Sequence, residues 1–299
     1  MRKRTLLTGV LQNTTDEIIN SQIKSNKEKE VGTIGFVGSG NMAEALIKGV
    51  ISANVYSPEN VFISDIRAER LKFLAGKYNV IACEKNSELA AKVETVVLSI
   101  KPQNMTDALE SVKDAIGTEK LVISIAAGIK VANIAAVLGD IAIVRVMPNT
   151  PALIGEGASA LFANEPAKPM LEKAMAIFSS VGKAVVVDDE DLIDAVTAVS
   201  GSGPAYYFLL MEEMIKAGVQ LGLPEDVAKD LVLQTAKGAG LLAVEADKNG
   251  ESPAELRRKV TSPGGTTEAA LKVFAEGGIS KLISAAIIRA RDKGRELAK

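Results

Sequence analysis

Residues 34–49 read IGFVGSGNMAEALIKG, an apolar run that meets two closely spaced glycines and continues at helical spacing. Gly38-Ser39-Gly40-Asn41-Met42-Ala43 fits G-x-G-x-x-A directly after a strand pattern and at the start of a helix pattern. Each small residue has a separate task in such a unit. Gly38 permits a tight turn, Gly40 leaves backbone bare for a pyrophosphate, and Ala43 lets the helix lie close to the strand. The unpaired N–H groups of the helix N-terminus then face the phosphates. A glycine-rich turn without ligand is the plain alternative, but the strand before and the helix after favour a dinucleotide site.

The rest of the first two thirds repeats this unit. VGTIGFVG (31–38), NVFISD (60–65), TVVLSI (95–100), KLVISIAA (120–127) and IAIVRVMP (141–148) read as strands, and residues 41–53 and 67–78 as helices. Strands that are apolar throughout are buried on both faces. Their alternation with helices predicts a parallel, doubly wound α/β sheet of the Rossmann type. GASALFAN (157–164) and KAVVVDD (183–189) flank one more helix at 166–180. After residue 190 the strand signal stops, and Pro204, Pro224 and Pro253 stand where helices start. The expected organisation is an N-terminal extension over 1–30, a dinucleotide-binding domain over 31–190 and an all-α domain over 191–299. Apolar residues mixed with small ones in the last part suit a bundle, packed either on itself or on a partner chain.

Composition narrows the chemistry. The chain has no histidine and one cysteine, Cys83, read as a small buried hydrophobe. A Ser-His-Asp or Cys-His nucleophile is therefore excluded, an intrachain disulfide likewise, and a zinc site is not expected. A net charge of −2 and 4% aromatic residues argue against nucleic acid as a partner. No apolar stretch is long enough to span a bilayer. The basic start RKRTLLTGVL lacks a cleavage pattern, so no membrane partner and a cytoplasmic setting are expected.

The second strand ends at Asp65, 22 residues after Ala43. A carboxylate there accepts hydrogen bonds from the adenine ribose and repels a 2′-phosphate, which favours NAD(H). Arg67, two residues on, offers a partner for a 2′-phosphate or is a solvated residue at a helix start, which keeps NADP(H) open. SIKP (99–102) and AAG (126–128) end two further strands with small residues and a turn, leaving room for a nicotinamide. Lys101 reaches ribose or phosphate there, or is simply a solvated lysine.

VTSPGGTTEAAL (260–271) interrupts the helical pattern. Gly264 and Gly265 allow a turn tight enough to expose N–H groups, and the helix opening near Thr266 adds its own unpaired amides and positive dipole end. Read locally, the stretch is a helix cap, with Thr266 or Thr267 as the N-cap.

The chain resembles pyrroline-5-carboxylate reductase, the enzyme of the last step of proline biosynthesis, over about residues 31–299. The resemblance rests on IGFVGSGNMAEALIKG, SIKPQ, SIAAGI, VRVMPNTPALIGEG, DLIDAVTAVSGSGPAY and RRKVTSPGGTTEAAL. It implies a Rossmann domain, a helical dimerisation domain, and homodimers that assemble into decamers. The active site would lie where the two domains meet, with the partner subunit contributing. Cofactor contacts carry over onto Val37, Gly38, Ser39, Gly40, Asn41, Met42, Asn86, Ser99, Ile100, Lys101, Pro102, Ile125, Ala126 and Ala127. Substrate contacts carry over onto Ser262, Gly264, Gly265, Thr266 and Thr267; the resemblance turns the local cap into an expectation that amides from Gly264 to Thr267 bind the substrate carboxylate, with the Thr267 hydroxyl facing the ring nitrogen. SGSGPAYYF (200–208) and MPNTP (147–151), with Asn149, are placed near the nicotinamide. NADP(H)-preferring members often carry Asn or Ser at the position of Asp65, which leaves the choice of NAD(H) or NADP(H) open.

The implied chemistry suits a chain without histidine. The substrate is a cyclic imine, its protonated form is strongly electrophilic, and the product amine needs no strong acid; placing two rings face to face is the main task. Two other readings compete. A β-hydroxyacid dehydrogenase needs a helical Lys-x-x-x-Asn pair, which is not found at an equivalent position. A non-catalytic cofactor sensor would have little use for SPGGTT beside a complete glycine fingerprint.

Overall fold

The computed structural model describes residues 32–297, so the extension expected over 1–30 lies outside the described residues. The first strand β1 (Ile34–Val37) feeds through the glycine turn into α1 (Asn41–Ser52). Then follow β2 (Val61–Ser64), α2 (Ala68–Tyr78), β3 (Ile81–Ala82), α3 (Asn86–Lys92), β4 (Thr95–Leu98), α4 (Met105–Val112), β5 (Leu121–Ser124), α5 (Val131–Leu138) and β6 (Ala142–Met147). The sheet is completed by β7 (Gly157–Ala163), α6 (Leu171–Ser179) and β8 (Gly182–Val186).

The eight strands lie in the order β3-β2-β1-β4-β5-β6-β7-β8. The first six give the Rossmann order 3-2-1-4-5-6, all parallel. The parallel sheet expected from the strands up to residue 148 is present, and beyond it β7 runs antiparallel to β6. Residues 148–156, which join them, are too few for a crossover back to the starting edge. Parallel pairing resumes between β7 and β8, with α6 as the crossover. The helix expected over 166–180 starts as a 3₁₀ segment, Glu165–Met170, because Pro169 inside it lacks an N–H; α-geometry begins only at Leu171. Helices cover both faces. Leu46, Leu74 and Phe178 from α1, α2 and α6 pack on one side. Leu89, Leu109 and Ile134 from α3, α4 and α5 pack on the other.

The remaining described residues are helical: α7 (Leu192–Val196), a π-helical turn (Thr197–Gly201), α8 (Gly203–Gln220), α9 (Glu225–Asp247), α10 (Pro253–Lys259), α11 (Thr266–Glu276) and α12 (Ile279–Leu297). Pro204, Pro224 and Pro253 do stand at helix starts. This part is unlike the first in one respect. Beyond Gly203, Ala228 and Ala246 are the only buried residues among those described, while Phe208, Leu209, Leu231, Leu241, Val273 and Leu282 are exposed.

Candidate active site

The glycine turn is built by steric necessity. Gly38 has φ of +84°, and a Cβ there would lie 2.5 Å from the Ser99 carbonyl oxygen and 2.6 Å from Ile100 Cγ2. Only glycine lets β1 turn this close to the end of β4. Gly40, the N-cap of α1, has ordinary extended geometry, and a Cβ on it would meet nothing within 4 Å. The space that side chain would fill is the mouth of a cleft of about 880 Å³ beyond the carboxyl ends of β1, β2 and β4. Ala43 is fully buried against the sheet, as its role in close helix packing requires.

Val37, Gly38, Ser39, Gly40, Asn41, Asp65, Arg67, Asn86, Ser99, Ile100 and Lys101 all line this cleft. Met42, Pro102, Ile125, Ala126 and Ala127 do not. Met42 packs on the core instead, and Ala126 is buried. Asn86 is held in place from both ends: its Oδ1 accepts from Ser64 Oγ at 2.8 Å, and its Nδ2 donates to Ser111 Oγ at 2.9 Å.

Asp65 is more engaged than the sequence suggests. Its Oδ2 accepts the Ser39 N–H at 2.9 Å, pinning the carboxylate to the glycine turn. Its Oδ1 accepts the Arg67 N–H and Arg67 Nε, each at 3.0 Å. Burial works against its charge, but Arg67 and these amides outweigh it and hold the carboxyl below the usual range. Asp65 is thus ionised at neutral pH and neutralised by its own neighbour, the exposed Arg67.

Sequence reasoning missed Ile66, Arg70, Gln103, Asn104, Asp107 and Ala108 of the cleft, and Arg70 is the one that braces the glycine turn. Its guanidinium donates to the carbonyl oxygens of Ser39 (2.7 Å) and Gly40 (3.3 Å) and to Glu44 Oε2 (2.6 Å), bracing the turn from the α2 side. Glu44 Oε1 also accepts from Lys77 Nζ and Tyr78 Oη, both at 2.9 Å. Burial raises the Glu44 pKa, but the bonds from Lys77, Arg70 and Tyr78 overcome it and bring the carboxyl from its usual 4.5 down to about 2. A carboxyl depressed in the folded state contributes stability that is complete above its unfolded pKa and is lost as pH falls through the folded one. The melting temperature of wild type should therefore exceed that of Glu44→Gln at neutral pH, and the gap should close between pH 4.5 and 2. Calorimetry across that range checks it; a gap independent of pH would contradict the charged bracing.

None of Ser262, Gly264, Gly265, Thr266 and Thr267 lines this cleft. Their turn stands at the start of α11, with Gly264 at φ of +72°. The N-cap is Gly265, with no side-chain capping bond, so neither threonine is the N-cap. The expectation of open amides from Gly264 onward needs correction. The Gly264 N–H donates to Glu268 Oε2 at 2.7 Å, and the Gly265 N–H to the Ser262 carbonyl at 3.0 Å. The first helical bond is from the Ala269 N–H to the Gly265 carbonyl, so the amides of Thr266 to Glu268 belong to the unpaired first turn. Asn149 ties its loop to the π-helical turn and to β7: Nδ2 donates to the Ser200 carbonyl at 3.1 Å, and Oδ1 accepts the Ala158 N–H at 2.8 Å.

A 3-2-1-4-5-6 sheet with a bare glycine cleft at its switch point, joined to a helical segment lacking its own core, defines a Rossmann-class dinucleotide-binding protein with an accessory helical part. Residues 33–128 match the family model described as NADP oxidoreductase coenzyme F420-dependent, and residues 190–297 the one described as pyrroline-5-carboxylate reductase dimerisation. The chain is 46% identical to the pyrroline-5-carboxylate reductase of Pseudomonas aeruginosa over 89% of its own length and 96% of that protein's. It is 41% identical to the Synechocystis enzyme, over 89% of this chain and 98% of that protein. A pyrroline-5-carboxylate reductase structure from Coxiella burnetii superposes with a TM-score of 0.85 at 40% identity, covering 90% of this chain and all of that one. The Plasmodium falciparum enzyme, solved with NADP bound, gives 0.79 at 31% identity over 90% and 98% of the two chains. The chain belongs to the pyrroline-5-carboxylate reductase family.

Proposed function

We propose that this chain is an NAD(P)H-dependent pyrroline-5-carboxylate reductase that converts the cyclic imine 1-pyrroline-5-carboxylate to L-proline. The observation that carries the reading is the pairing of a bare Gly38–Gly40 cleft with a second anion-ready turn at 262–267 in a chain without histidine. The cleft fits a dinucleotide by its own features: open backbone at Gly40, the start of α1 for the phosphates, and Asp65 with Arg67 at the adenosine end. The bound cofactor supplies a hydride from its nicotinamide.

The chain's residues supply placement. The Thr266, Thr267 and Glu268 amides at the positive end of α11 hold the substrate carboxylate, replacing the wider set expected from sequence. That Gly264 already holds the carboxylate of Glu268 supports the turn as a carboxylate-binding element. The Thr267 hydroxyl orients the ring nitrogen, as iminium and then as amine. Because this turn lines no part of the chain's own cleft, the partner subunit's copy serves it, and each active site is shared across a homodimer. The division at residues 190 and 191 then separates the cofactor domain from the dimerisation domain. On the family resemblance, dimers assemble into decamers and work in the cytoplasm; no described helix is long and apolar enough to cross a membrane.

Thr267→Ala tests the substrate end. One hydrogen bond to a charged ring nitrogen corresponds to a loss of kcat/KM for the imine between about tenfold and a hundredfold. NADPH affinity should not change. Steady-state kinetics with unaltered turnover and unaltered imine KM would remove Thr267 from the site.

A further inference from the structure

Arg145 sits in β6 among apolar neighbours, only 2% exposed, and carries a full charge. Its guanidinium donates to Glu190 Oε1 at 3.1 Å and to Asp194 Oδ1 at 3.3 Å. Glu190 precedes α7 and also accepts the N–H of Val131, the first residue of α5, at 2.8 Å. Asp194, within α7, accepts Arg295 Nε of the last helix at 3.3 Å through its other oxygen. One buried cation therefore joins the sheet, the connection into the helical segment, and both the first and last helices of that segment. Lys130 and Asp191 add an exposed pair at the same seam, 2.9 Å apart.

Stability is a poor explanation for such a cluster. Removing charges from water costs several kcal/mol per ion, and apolar side chains of similar volume often do as well or better. The cost here is not fully offset, because Arg145 Nε is buried without a partner among the described residues. What the cluster provides is a single geometry, since a forked guanidinium donates to its carboxylates in fixed directions. Its location gives that geometry a use. β6 ends at Met147, two residues before the Asn149 bridge to Ser200, and Met147 Cε lies 2.5 Å from where a Cβ on Gly201 would stand. The seam is thus fixed at both ends, by charge at Glu190 and Asp194 and by close packing at the π-helical turn.

The geometry points to Arg145, Asp194 and Arg295 as a latch that sets the angle between sheet and helical segment, and so where the partner's turn stands over the cleft. This rests on the shared-site reading above. Arg145 touches neither cofactor nor substrate by this account; it is a positioning residue acting through Glu190 and Asp194.

The test uses the full-length dimer with Arg145→Met, Arg145→Lys and Arg295→Met; the last substitutes a side chain 48% exposed, which the fold tolerates. Misplacement of reacting groups by a fraction of an ångström to an ångström lowers rates steeply, so kcat/KM for the imine should fall at least about tenfold in both Met variants, chiefly through kcat. Arg145→Lys should lie between these and wild type. NADPH affinity, read by titrating its fluorescence, should stay within about twofold, since 880 Å³ of cleft lies wholly on the sheet side. Small-angle scattering should give a larger radius of gyration for the Met variants. Unchanged kcat/KM in an intact dimer overturns the latch. So does an equal loss of NADPH affinity, which would mark general damage. If wild type does not reduce the imine, the proposed function falls, and the scattering comparison alone decides the latch.

Discussion

A Gly40→Val variant is expected to fold normally and to lose its cofactor. The backbone at Gly40 is extended, with φ of −71° and ψ of −168°, so a β-branched residue fits without strain. Nothing of the protein lies within 4 Å of the added Cβ, so the side chain projects into the cleft mouth. That is where the turn must be bare for phosphate to reach the amides of α1. NADPH affinity should drop by at least about a hundredfold, roughly 2.7 kcal/mol, while the melting temperature moves little. Gly38→Val makes the informative contrast. There the Cβ meets Ser99 oxygen at 2.5 Å under a φ of +84°, and the chain itself should lose on the order of 3 kcal/mol or more. Thermal melts with NADPH titrations separate the two glycines. Equal destabilisation by both would mean that the bare turn serves packing alone.

Leu231→Asp in α9 and Phe208→Asp in α8 should each abolish dimerisation and, with it, activity. Leu231 is 56% exposed and Phe208 61% exposed in the single chain, where a charge on a solvated helix would change stability by only about 0.5 kcal/mol. The helical segment, however, buries only alanines beyond Gly203 among its described residues, and that cannot offset the entropy of ordering it. Its apolar faces must be covered by a second copy, and each large side chain covered contributes about 1.5–3 kcal/mol. An aspartate placed there is desolvated without a partner. Sedimentation should show monomer or aggregate and kinetics no turnover; an active dimer would show that these faces meet solvent.

The contrast between those segments explains what could be read in advance. Gly38, Gly40 and Ala43 act over six residues, and Asp65 ends an apolar run, so local pattern exposes them. Pro204, Pro224 and Pro253 mark helix starts for a reason intrinsic to proline. Pairings across the chain leave no such trace. Arg70 braces carbonyls about 30 residues away, and Arg145 reaches acids 45 and 49 residues on. β3 consists of Ile81 and Ala82, both exposed, too short to show a period. The Glu268 bond to Gly264 was legible in principle. A glutamate at the third helical position is half of a capping box, and it reaches back to the amides before the helix. The reading of GGTTE as carboxylate-binding amides obscured that simpler role for its first glycine.

The most direct test is nicotinamide oxidation by the purified chain with pyrroline-5-carboxylate, run with NADH and with NADPH beside a panel of 3-hydroxy acids with the oxidised cofactors. The account predicts saturable, imine-dependent oxidation of reduced cofactor with one proline formed per hydride, and no turnover of the hydroxy acids. Reduction of cofactor by a 3-hydroxy acid, or cofactor binding with no consumption when the imine is added, would contradict it.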